Sequence, residues 1–175
     1  MSTQPKIVVL CTVSTGIDAV LEILRRGFAI EMIVGLHPTS ADPNLISGYI
    51  DVAGPATNRS PQNWALMLGC QQFDLALFSI TEGVDEGPIL AERSFTYRDS
   101  DDIQISYYRA SLAMADMVCD LLLNPERIQQ GRPQRHLKGF YYPQRRPEDG
   151  RVDWALPADR IARHCRALTK PYPGL

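Results

Sequence analysis

The sequence lacks any apolar run near the ~20 residues that a membrane span requires. It lacks an excess of charge of either sign: 18 Lys and Arg stand against 20 Asp and Glu, a formal net charge of -2. That balance leaves no broad basic face and excludes a dedicated DNA-wrapping protein. The 4 cysteines, Cys11, Cys70, Cys119 and Cys165, are widely spaced and form no C-x-x-C pair, which excludes a zinc knuckle and a disulfide scaffold. Three of them sit among apolar neighbours, and buried reduced thiols in a cytoplasmic protein are expected. The first residues lack the charged-then-apolar layout of a signal peptide, since their apolar run spans residues 7–11 alone. The turn at residues 12–16 carries a single glycine, Gly16, so no G-x-G-x-x-G dinucleotide fingerprint follows the first strand.

What remains is the composition of one globular domain: 175 residues, 45% hydrophobic and 22% charged. Residues 7–11 are a short apolar run that reads as a strand covered on both faces, and 30–36 reads as another strand. Between them Ile17, Val20, Leu21 and Leu24 make a helical stripe that Gly27 closes. This βαβ opening predicts an α/β fold with a parallel sheet. Residues 37–60 are broken by Pro38, Pro43, Gly48, Gly54 and Pro55, a long irregular stretch for the inside of a domain. A short helix follows over 61–69, then strands over 73–80 and 89–97 joined by a polar turn at 81–88. Residues 99–102 supply capping aspartates for a helix over 103–123, whose stripe through Ile105, Tyr108, Leu112 and Leu122 is assigned to the core. Residues 124–150 are rich in Pro, Gln and Arg, 151–154 read as extended and 158–168 as a helix.

Several of these segments carry a recognisable pattern. Arg59, Pro61, Trp64 and Gly69, followed by a D-x-G-x-I turn at Asp85, Gly87 and Ile89, resemble the folate-dependent formyltransferases. Residues 142–154 and 166–174, which end on Pro171, Tyr172, Pro173 and Gly174, are similar to the segment joining that family's catalytic and C-terminal domains. Ser60, Pro61, Asn63 and Trp64, with no histidine after Phe78, look most like the nucleotide-sugar N-formyltransferases; methionyl-tRNA formyltransferase shares the frame. The resemblance implies a Rossmann-like parallel sheet of the formyltransferase type, with a catalytic domain over 1–150 and the start of a C-terminal domain over 151–175. It implies 10-formyltetrahydrofolate as donor, the amine of a nucleotide-linked amino sugar as acceptor, no membrane, no nucleic acid unless tRNA is the acceptor, and a possible homodimer.

Formyl transfer to an amine needs a base, an oxyanion donor and a carboxylate that orients and tunes the base. The resemblance assigns the carboxylate to Asp85 and folate contacts to Thr81, Glu82, Gly83 and Val84. Arg59, which leads into a helix, and Asn63 are the candidates for substrate binding. Trp64 and Trp154 are either ring-stacking platforms or core, and Trp64 is assigned to the core through its helical spacing with Leu68. One departure is large. The family's Asn-x-His pair is absent, because none of His37, His136 and His164 has an asparagine two residues before it. About two βα units at ~30 residues each are also missing before Arg59, which an internal deletion near residues 52–54 explains. A slow or inactive enzyme, or a nucleotide-sugar-binding remnant, is then expected.

Overall fold

The computed structural model describes residues 8–10, 14–30, 32–34, 61–79, 81, 87–134 and 147–174. They fall in two compact units. The first draws on Met1–Ala53, Leu75–Arg93 and Ala110–Arg135, and the second on Gly54–Asp74, Ser94–Arg109 and His136–Leu175.

In the first unit, β1 (Val8–Leu10) pairs in parallel with β2 (Met32–Val34), Val9 lying opposite Ile33. Helix α1 (Ser14–Arg25) makes the crossover, so the βαβ opening forms as its apolar pattern dictates. Gly27 ends the helix at φ 86, where the N–H groups of Gly27 and Phe28 reach back to the carbonyls of Leu24 and Ile23. The buried face is not the expected one. Ala19, Val20 and Ile23 face inward, whereas Ile17, Leu21 and Leu24 remain 54%, 46% and 44% exposed. Ile23 packs on Ala115 and Cys119, with Phe28, Ile30 and Val118 around them. These small partners on the neighbouring helix admit Ile23 and so select the face. Arg26, bonded to Asp116 and to Glu22, closes the edge of this cluster, and the two carboxylates raise its affinity for its proton, Asp116 most.

Strands β3 (Gln72–Phe78) and β4 (Ile89–Thr96) form a second two-stranded sheet and run through both units. Bonds from Tyr97 N–H to Gln71 O and from Ser79 N–H to Pro88 O fix the pair as antiparallel. The described strands therefore make two separate pairs where one parallel sheet was expected. The physical reason lies in the length of the connection: eight residues separate 79 from 88, whereas a parallel neighbour needs a crossover of a dozen or more. In the first unit Arg132 pairs antiparallel with Ile89, at the start of β4, through a reciprocal pair of 2.8 Å bonds.

Helix α2 (Pro61–Leu68) and helix α4 (Ala158–Ala167) pack together in the second unit. Leu66, Ile103 and Ala167 form its core, with Met67, Tyr97, Tyr107 and Tyr172 against them. Helix α3 (Ile103–Leu123) has the expected bounds, and Asp102 caps it by accepting the Ile105 N–H at 3.0 Å. Its buried face, however, is made by Ile103, Ser106, Ala110, Ser111, Ala115, Met117 and Cys119. Ile105 and Tyr108, expected in the core, are exposed, and Leu112 and Leu122 are half-buried. Residues with short side chains let neighbouring elements approach α3 closely, so bulk did not choose the face. One cysteine also departs from expectation: Cys70 is exposed, whereas Cys119 is buried and Cys165, between His164 and Arg166, is exposed. Desolvation pushes the Cys119 thiol up from its ordinary pKa. Residues 151–154, read as extended, instead enter a turn in which Asp153 accepts bonds from the N–H groups of Ala155 and Leu156. Trp154 stands 81% exposed on that turn, and Leu68 is exposed at the end of α2.

Candidate functional site

The turn expected to carry the chemistry joins β3 to β4, and both of its shoulders are described. Phe73, Leu75 and Leu77 alternate along β3 as half-buried residues, and Ser79 closes onto Pro88 at 3.0 Å. Gly87 lies buried in the closure. A Cβ on it would fall 1.6 Å from the Ser79 carbonyl oxygen, so only glycine lets the two backbones meet. The Gly87 carbonyl accepts the Gln134 amide at 2.8 Å, two residues on from the Arg132 bridge to Ile89.

Of the sequence-derived candidates, Thr81 is described and exposed at this turn. Arg59, Glu82, Gly83, Val84 and Asp85 lie outside the described residues, as do His37, His136, Cys11 and the suspected deletion at 52–54. His164 is half-buried on α4.

Asn63 is placed inside the protein, fully buried on α2. Its amide donates to the Ala167 carbonyl at 2.6 Å, and its oxygen accepts the Tyr172 hydroxyl at 3.1 Å and the Tyr107 hydroxyl at 3.4 Å. The two tyrosine hydroxyls are themselves 2.6 Å apart. Asn63 thus fastens residues 167–172 to α2 and α3 within the second unit. Next to it, Gln62 accepts the Ser106 hydroxyl at 2.6 Å, and Ser106 pairs with the Tyr97 hydroxyl at 2.7 Å. Burial raises the Tyr97 pKa, and the bond to Ser106 opposes that shift. Buried polar networks of this kind are stable only when their members are satisfied. Trp64 is half-buried.

Among the described residues no three His, Cys, Asp or Glu side chains gather as a metal site. No helix among them is long and apolar enough to cross a membrane.

Residues 145–175 match the formyl transferase, C-terminal domain family. Several solved structures, formyltransferases among them, are similar in fold. HypX from Aquifex aeolicus in complex with tetrahydrofolic acid is similar at TM-score 0.67 and 19% identity, over 96% of this chain and 35% of its own length. The chain thus spans about a third of HypX. Methionyl-tRNA formyltransferase from Clostridium thermocellum is similar at TM-score 0.64 and 14% identity, over 97% of this chain and 86% of that one. An N-formyltransferase from Helicobacter canadensis, in complex with folinic acid and dTDP-3-aminofucose, gives TM-score 0.59 and 13% identity, over 95% and 82% of the two chains. The fold is formyltransferase-like, and residues 145–175 carry the match to the C-terminal domain family.

Proposed function

We propose that this chain descends from enzymes that move a formyl group from 10-formyltetrahydrofolate to the amine of a nucleotide-linked amino sugar. The observation that carries the reading is the D-x-G-x-I turn at Asp85, Gly87 and Ile89 on a hairpin whose close Gly87 approach requires glycine. The family match at residues 145–175 supports it, as do solved relatives of the same fold that hold tetrahydrofolic acid or folinic acid. A Rossmann-like parallel sheet belongs to the same reading, extending the β1–β2 pair.

In this reading Asp85 supplies the carboxylate that orients and tunes a base, and Thr81, Glu82, Gly83 and Val84 hold the folate. Arg59 is a candidate for the anionic part of the acceptor, whereas the Asn63 amide is engaged on Ala167, Tyr172 and Tyr107 inside the second unit. The residue set fits binding better than turnover, because the sequence offers no Asn-x-His pair to take the amine proton and stabilise the oxyanion. We therefore assign the chain slow or absent formyl transfer. An acceptor amine on methionyl-tRNA is the second reading, favoured by the methionyl-tRNA formyltransferase of the same fold.

The test is folate binding followed by formyl transfer. Saturable binding of 5-formyltetrahydrofolate, weakened in Asp85→Asn, with transfer to a dTDP-linked amino sugar far below the ordinary enzyme range of about 1–1000 per second, is the expected result. Absence of folate binding sinks the lineage as a working site, and transfer within that range sinks the assignment of inactivity.

A further inference from the structure

A second concavity, sharing no residue with the 81–85 turn, opens inside the second unit at the Gln71 and Tyr97 end of the β3–β4 pair. It has a volume of about 650 Å³ and is walled by the end of α2, the loop after β4 and one face of α4. Three guanidiniums line it, those of Arg98, Arg163 and Arg166, together with the carboxylates of Asp99, Asp101 and Asp159.

Most of the negative charge is already taken. Asp159 is paired with Arg163, which lies across Gly69, where an added Cβ would strike its guanidinium. Asp101 is buried and holds Arg109 at 2.6 Å and the Arg98 N–H at 2.8 Å. That leaves Arg98 and Arg166 without a carboxylate among the described residues, against Asp99 alone. The walls are fixed before any ligand arrives: Tyr97 is held by Ser106, and the loop by the Asp101–Arg109 pair. Leu66, Ala162 and the ring of Tyr97 supply an apolar side.

We propose that this concavity binds a small phosphorylated molecule of nucleotide size, its phosphates between Arg98 and Arg166 and its body against Tyr97 and Leu66. Guanidinium forks match phosphate oxygens in pairs, and the volume falls in the range of small-molecule sites. The exposed Cys70 thiol on the wall reports occupancy.

The experiment uses the full chain, with inorganic diphosphate and ADP as probes in calorimetry. In parallel, the rate of Cys70 alkylation by iodoacetamide is followed in a Cys165→Ser background. Saturable binding, slowed Cys70 alkylation and a loss of about tenfold in affinity in Arg98→Ala and in Arg166→Ala support the site. Arg160→Ala, on the same helix but outside the concavity, and Asp85→Asn leave the affinity unchanged. If diphosphate binds as tightly as ADP, the phosphates alone are recognised; if ADP binds at least tenfold tighter, the apolar wall contributes. Absence of saturable binding by both probes, Cys70 alkylation unchanged at saturation, or equal weakening by Arg160→Ala overturns the proposal. Should the arginine variants fail to fold, the alkylation result on otherwise native protein decides.

Discussion

Asn63 shows how far a single side chain can be pulled from one role into another. With both ends of its amide engaged on Ala167, Tyr172 and Tyr107, truncation to Ala takes the side-chain donor from the buried Ala167 carbonyl and the shared acceptor from two hydroxyls that keep each other. A buried group that loses its partner costs about 1–3 kcal/mol, and the lost tyrosine contacts add to it. Asn63→Ala is therefore expected to destabilise the protein by about 3 kcal/mol in chemical denaturation, lowering Tm by roughly 10 °C. A residue that only touched substrate would leave Tm unmoved. At the surface of the same unit, the bond from Arg163 holds the Asp159 carboxyl below the usual carboxylate range. A depressed folded-state value stabilises the native state at neutral pH and ceases to do so as pH falls from about 4 through that lower value. Asp159→Asn should lower Tm slightly at pH 7, and thermal melts should show the gap to wild type closing below about pH 4. A gap that persisted at low pH would mean that the asparagine itself, rather than the lost charge, destabilises the helix.

At the scale of the element, the β3–β4 hairpin hinges on Gly87. Alanine there drives a methyl group into the Ser79 backbone rather than into a yielding side chain, so the turn must open. Gly87→Ala should weaken 5-formyltetrahydrofolate binding at least as much as Asp85→Asn does, with the Ser79 and Ile89 amides exchanging faster with deuterium. Unchanged exchange would show that the closure tolerates the methyl. The bounds of α3 were readable because local chemistry sets them: Asp102 caps its start, and Asn124 with Pro125 follows its end. Its buried face was not readable, because Ser106, Ala110 and Ala115 are selected by the partners that close onto them, and those partners come from distant parts of the chain. The candidate site divides the same way. The Asp85 turn lies in one contiguous motif. Arg98 and Arg166 meet in a concavity only after α4 packs beside α2, and the one sequence sign of it was the i, i+3 spacing of Arg163 and Arg166.

For the whole molecule, the apolar groups left outside the core have consequences. Ile17, Leu21 and Leu24 follow an i, i+4, i+7 line on α1, away from the Ile23 cluster, and remain about half exposed. In an α/β fold the faces of such helices are covered by further elements. A bare apolar stripe favours self-association. The native protein is expected to associate as its concentration rises, measured by sedimentation velocity. The double variant Leu21→Glu with Leu24→Gln should stay monomeric, the new glutamate lying four residues before Arg25, where an ion pair supports the helix. Because both side chains point away from the Ile23 cluster, stability should change by no more than about 0.5 kcal/mol. Wild-type protein that remained monomeric at high concentration would show that exposure on α1 does not drive association. A double variant that unfolded would show that Leu21 and Leu24 serve the core despite their exposure. Association that disappears in the variant while folate binding persists would show that the uncovered face of α1 and the folate site act independently.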